Sequence, residues 1–297
     1  MSERFRCAQA ASAIDEPRYA TASTVRRWLL VEQSGPWGID AVRESRMPSV
    51  AADALVDLGK RLGARVLLLR RHGARVQSGC TVYVATTRVT IQRLESFALD
   101  APADVLDLNL EGLRHGQSVG GRLEHDPLLL VCTNGRHDPC CAEFGRPVAA
   151  ALTAAYGDRV WEVSHIGGDR FAGNVVVLPD GVYYGGLDAD RAVAVAGAHL
   201  DGRIDLDTYR GRSALPFVAQ AAEYFLRRDR GLEAVDAVKW VGRESLSDER
   251  WRIMFRTPST DVAVEVAVSH DPQPLQLTCR AQHPAHPPRY ELLRITT

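Results

Sequence analysis

The chain has 297 residues, 45% of them hydrophobic, and its 36 Lys and Arg residues nearly balance its 37 Asp and Glu residues. That is enough apolar material for one large domain or two ordinary ones, and a formal charge of -1 with a pI near 6.8 gives no general pull toward nucleic acid or anionic membrane. The opening MSERFRCAQAASAIDEPRYA has no apolar segment of signal-peptide length, and no later run approaches the roughly 18 apolar residues of a membrane helix, so a cytoplasmic location without membrane attachment is expected.

Apolar runs set against breakers predict a strand at RRWLLVEQ (26–33), a loop at SGPWG, a helix near AADALVDLGKRLG (51–63), and strands at ARVLLLRR (64–71) and CTVYVATT (80–87). The order then repeats. DPLLLVC (126–132) predicts a strand buried on both faces, the loop TNGRHDPCC follows, and RPVAAALTAAYG (146–157) predicts a helix with Pro147 in its first turn and Gly157 at its end. RVWEVS (159–164) is the next strand. NVVVLPDGVYYGG (174–186) predicts two β runs joined as a hairpin by Pro-Asp-Gly. Helical periods mark 189–200 and 213–228, the second with Ser213 as N-cap, and both are expected to cover the sheet. From about 231 the runs AVKWVG, WRIMFRT, DVAVEVAVS, LQLTCRA and YELLRI predict a β-rich C-terminal extension. The Pro-rich QHPAHPP reads as a surface loop. The expected division is an N-terminal α/β unit over 1–122, a second over 123–230 and the extension over 231–297.

A constant offset of 94 pairs Arg65 with Arg159, Val66 with Val160, Gly73 with Gly167, Gly79 with Gly173 and Val82 with Val176. The hypothesis is two related α/β units of which only the second carries chemistry, because Arg71 stands where His165 stands and Arg75 where Asp169 stands. A shared bias toward Val and Gly would produce the same identities, and different topologies in 26–87 and 126–186 would end the idea.

Six cysteines (Cys7, Cys80, Cys132, Cys140, Cys141, Cys279) are too few to scaffold a chain this long, and no C-x-x-C pair is present. The informative set is Cys132 and Cys141, with eight residues between them, followed by His165 and Asp169, with three between them. Cys132 ends a central strand and the others sit on segments able to reach that end of the sheet, where open α/β sheets place their sites. Two thiolates and an imidazole suit zinc or an iron–sulfur cluster. The glycines of HIGGDRFAGN let one short loop fold around such a group.

CTNGRHDPCC, HIGGDRFAGN and VVVLPDGVYYGG together resemble the thioredoxin-like 2Fe-2S ferredoxins, in particular the sucrase/ferredoxin-like family, most strongly over 126–228 and with some likeness at 21–38. The resemblance implies a thioredoxin-like α/β ferredoxin domain, preceded under the repeat hypothesis by a degenerate copy, that carries one 2Fe-2S cluster and passes single electrons between a donor and an acceptor protein. It matches Cys132 and Cys141 to the two cysteine ligands and His165 to the first histidine of an H-x3-H pair. Asp169 stands where that pair has its second histidine, so the fourth ligand is Asp169 first, with Cys140 or Cys279 as thiol substitutes. A ferric core of +2 held by two thiolates, a neutral imidazole and a carboxylate leaves -1, which implies a midpoint potential between those of four-cysteine and two-histidine sites. Three other readings compete. Zinc on the same four donors would make the site structural or hydrolytic. The adjacent Cys140 and Cys141 would serve a thiol redox protein. A glycosidase would need two carboxylates at a defined separation, and no spacing singles out a pair. Neither nucleotide-binding glycine motif is present, so an electron-donating partner is expected rather than direct use of a nicotinamide.

Overall fold

The computed structural model describes residues 4–73 and 79–297. A short helix, α1 (Cys7–Ala13), precedes the first unit: β1 (Arg27–Glu32), α2 (Ser49–Leu62), β2 (Arg65–Arg70), β3 (Cys80–Arg88), β4 (Ile91–Leu99) and β5 (Arg122–Leu123). The second unit is β6 (Leu128–Cys132), α3 (Pro139–Tyr156), β7 (Val160–Val163), β8 (Val175–Leu178), β9 (Val182–Tyr184), α4 (Ala189–Leu200), β10 (Tyr209–Arg212) and α5 (Phe217–Arg230). Four antiparallel strands close the chain: β11 (Lys239–Ser247), β12 (Arg250–Arg256), β13 (Asp261–His270) and β14 (Pro288–Thr296).

The first ten strands form one mixed sheet in the order β10-β9-β8-β6-β7-β2-β1-β3-β4-β5. Each half is a parallel strand–helix–strand pair followed by antiparallel strands added on the other side of the first strand, so the topologies agree. Their registers agree as well. Leu30 pairs with Leu67 and Tyr83, and Leu130 pairs with Trp161 and Val176. The offset of 94 therefore holds from β2 to β7 and slips by one residue at β3, where Tyr83 rather than Val82 is the counterpart of Val176. The halves meet where β2 and β7 run antiparallel, with Leu69 opposite Val163, its own counterpart, so a local two-fold axis passes between these two residues. Arg75 lies outside the described residues.

Burial explains the curl. α2 packs Leu55, Leu58 and Leu62 on one face of the first half, and α3 and α4 pack Val148, Leu152, Ala192 and Val195 on the same face of the second. The opposite face carries Trp28, Tyr83, Trp161 and Tyr183. A flat sheet would hold β1 and β9 about 24 Å apart, five strand spacings, yet the Trp28 and Tyr183 rings are 6.3 Å apart. The sheet closes over its own large side chains, so helices cover one face and not two. α5 covers the smaller sheet instead, setting Ala219, Ala222 and Leu226 against Ile253, Phe255 and Val264.

Three local expectations are corrected, and two strands were not expected. α3 begins at Pro139, seven residues early, because the Asp138 side chain accepts the Cys140 amide at 2.9 Å and Pro139 fits the first position of a helix; Pro147 falls inside it. Ser213 does not cap α5, since its amide donates to Gly181 O and the helix starts after Pro216. Residues 275–281 form a loop and not a strand. β4 and β10 had no expectation at all, their short or charge-interrupted runs lacking clear alternation.

Candidate metal centre

Cys132 is the last residue of β6, 1% exposed, and its position is enforced by close packing: a Cβ on Gly145 of α3 would lie 2.0 Å from the Cys132 carbonyl oxygen. The turn after the strand is built by Asn134, whose Oδ1 accepts the amides of Arg136 and His137. Asp138 then starts α3, whose first turn carries the fully buried Cys141.

The loop 165–174 is held from three directions. Arg65 of the first unit donates to the carbonyls of His165 at 2.7 Å and Ile166 at 3.2 Å. Ser23 donates to the Ile166 carbonyl at 2.8 Å. Arg210 on β10, fully buried, donates to Gly167 O at 3.0 Å, Asn174 Oδ1 at 2.8 Å and Thr21 O at 2.6 Å. Gly168 has φ +79°, and a Cβ there would lie 2.1 Å from the Arg210 guanidinium, so the glycine is required both by conformation and by that approach.

These supports bring the predicted donors together. One ligand atom from each of Cys132, Cys141 and His165 lies within 4.8 Å of the others, and His137, His165 and Asp169 form an overlapping group on the same limit. Asp169, 3% exposed, accepts from Cys141 Sγ at 3.2 Å and lies 2.9 Å from His165 Nδ1. That last contact is close but not aligned as a hydrogen bond, which leaves Nδ1 buried without a directed partner. A hydrogen bond from Cys141 holds the Cys132 thiol well below its ordinary range against the opposing effect of burial, and Cys141 is pushed up by Cys132 and by burial. Burial lowers the His165 imidazole, but Asp169 and Cys132 outweigh it and raise the group to about 9. Burial raises the Asp169 carboxyl, and His165 outweighs it, leaving it below the usual range.

The thiol substitutes go elsewhere. Cys140 and Cys279 meet each other, Sγ to Sγ at 3.4 Å, in a separate group with Cys7 and Asp138. Cys140 and Cys141, adjacent in sequence, thus serve different clusters and form no dithiol. Two contributors were missed. His137 stacks on His165 at 3.7 Å between ring centres and lies 4.0 Å from Asp169 Oδ2; its place between the two cysteines was the available signal. Arg210 had none, because its role comes from contacts more than thirty residues away.

The family model for sucrase/ferredoxin-like proteins matches residues 18–211, close to two thirds of the chain. The chain belongs to the sucrase/ferredoxin-like family. The family segment spans both units and takes in Cys132, Cys141, His165, Asp169 and Arg210, while α1, α5 and the smaller sheet lie outside it. No curated protein and no solved structure matches the chain.

Proposed function

We propose that this family member is a one-electron carrier holding one 2Fe-2S cluster through Cys132, Cys141 and His165, with Asp169 as fourth ligand, on a thioredoxin-like core. The observation that carries the reading is a buried pair of thiols converging with a partly exposed imidazole whose buried Nδ1 has only the Asp169 carboxylate beside it, at 2.9 Å, on a protein whose family name includes ferredoxin. Such donors fit the group: thiolate and imidazole are both iron–sulfur ligands, and a carboxylate oxygen beside them completes four. When bound, the cluster would supply a one-electron redox couple.

The chain's own residues then have defined tasks. Gly167 and Gly168 allow the backbone path that carries His165 and Asp169 to the thiols, and Arg65 and Arg210 hold its carbonyls. Arg210 has no carboxylate partner among the described residues, so its buried charge offsets the thiolates. The His165 and His137 side chains are 20% and 33% exposed, and this edge of the site is where a donor or acceptor protein would approach. No described helix is long and apolar enough to cross a membrane, and a cytoplasmic setting is part of the proposal.

A specific observation favours a second assignment of the fourth ligand: His137 stacks on His165 and shares its donor group with Asp169. Iron and acid-labile sulfide analysis with EPR of the reduced protein, repeated on Asp169→Ala and His137→Ala, separates the two. A red-brown protein that dithionite bleaches, with its signal altered in Asp169→Ala alone, is expected. Alteration in His137→Ala alone moves the fourth ligand. Colourless protein with zinc on these donors overturns the function.

A further inference from the structure

The second group of thiols shares no residue with the set Cys132, Cys141, His165 and Asp169. Cys7 opens α1, Cys140 lies in the first turn of α3, and Cys279 belongs to the loop between β13 and β14. Chain positions separated by up to 272 residues converge: Cys279 Sγ is 3.4 Å from Cys140 Sγ and 3.5 Å from Cys7 Sγ, and Cys7 Sγ is 3.8 Å from both carboxylate oxygens of Asp138. Four sulfurs or oxygens around zinc with Zn–S bonds of about 2.3 Å lie roughly 3.5–3.8 Å apart in a tetrahedron. One ligand atom from each of the four residues lies within 4.8 Å of the other three.

Charge points the same way. Asp138 is fully buried and forms no ion pair among the described residues, so a carboxyl group sits beside three sulfurs without a side-chain cation in contact with it. Its oxygens accept the amides of Cys140 at 2.9 Å and Cys279 at 2.7 Å and the Cys7 thiol at 3.8 Å, and the Cys7 amide donates to Cys279 Sγ at 3.3 Å. Backbone N–H groups directed at a ligating carboxylate and sulfur are the outer contacts that orient metal ligands. Cys7 and Cys140 are fully buried as well.

We propose that Cys7, Cys140, Cys279 and Asp138 bind a structural zinc ion. The three thiols release their protons to solvent on binding, and no oxidation occurs. The ion would tie α1 and the C-terminal loop to the start of α3, and because α1 packs on the 169–171 turn it would restrain the segment carrying Asp169 without touching the proposed cluster. Two of the three thiols fall outside the family segment 18–211.

Zinc and iron are measured on the purified full-length protein, wild type and the variants Cys279→Ser, Cys7→Ser and Cys141→Ser. One zinc per chain is expected in wild type and in Cys141→Ser, with a loss of at least about ten-fold in Cys279→Ser and Cys7→Ser. Cobalt(II) added to zinc-stripped wild type should give intense thiolate charge-transfer bands that Cys279→Ser lacks, a readout that stands even if Cys7→Ser does not fold. The absence of both zinc and cobalt–thiolate bands in wild type overturns the proposal. So does zinc lost through Cys141→Ser alone, or a Cys140–Cys279 disulfide in the freshly purified protein. The loss of one zinc in Cys279→Ser relative to wild type is read in the same way whether the other site holds iron or zinc; in the second case wild type carries two zinc ions and Cys141→Ser one.

Discussion

The two halves of the large sheet share strand order and register, and they differ in what stands at the ends of equivalent strands. Glu32 pairs with Leu69 as Cys132 pairs with Val163, so a glutamate ends the first central strand where a thiol ends the second. That glutamate accepts the Thr81 amide at 2.9 Å and ties β1 to β3 within its own half. Arg71, the counterpart of His165, lies over the Trp161 ring at 3.5 Å and donates to Asp158 and Val160 carbonyls of the second half. Neighbouring His72 meets Glu162 at 2.7 Å. At the outer edges, exposed β5 corresponds to β10, where Arg210 is buried. Sheet pairing depends on backbone and apolar alternation, so strand-end side chains are free to change. In the first half Glu32 holds its own strands while Arg71 and His72 brace the second half; in the second half the strand-end side chains converge on one another.

The largest effect expected from this contrast is all or none. Cys132→Ser should abolish bound iron and visible colour, whereas Cys80→Ser, at the start of β3 in the first half, should leave both intact; iron analysis and an absorption spectrum check it, and colour retained in Cys132→Ser would erase the distinction. Next, Gly168→Ala should cost about 4 kcal/mol from positive φ and the Arg210 clash, against about 1 for Gly73→Ala, which has positive φ and open space. Denaturant melts measure both, and equal costs would mean that the Arg210 approach does not constrain the loop.

A smaller effect concerns pH. The His165 value rises from 6.5 in the unfolded chain to about 9 in the fold. A raised folded value means that its stabilisation of the metal-free protein is complete below pH 6.5 and lost as pH rises through about 9, roughly 3 kcal/mol in total. Denaturation of chelator-stripped protein across that window should show the decline, and Asp169→Asn should flatten it; Arg71, in the first half, offers no such titration. Smallest is a shift in potential. Removing the buried positive charge with Arg210→Gln should lower the midpoint measured by potentiometric titration, while Arg122→Gln on exposed β5 should not move it, and equal responses would remove Arg210 as a tuning group.

Much of this was legible in order along the chain. The all-apolar centre of 126–132 specified a central strand, Pro-Asp-Gly specified the β8–β9 hairpin, and the helical period of 189–200 matched α4 residue for residue. Each is a local signal, carried by side-chain period or turn chemistry within a few residues. The start of α3 was misplaced because two prolines competed for its first turn, and only the Asp138 cap decides between them.

By itself, the sequence determined the family, the order of elements and the kinds of donor atom the protein owns. Which donors meet was decided by tertiary structure. Consecutive residues on a helix point about 100° apart, so Cys140 and Cys141, indistinguishable as neighbours in the chain, turn toward different clusters. The sheet's curl brings Arg210 onto the 165–174 loop, and the docking of the last sheet brings Cys279 to Cys7. Contacts of that reach leave no periodic trace, because each depends on packing among segments that are distant along the backbone.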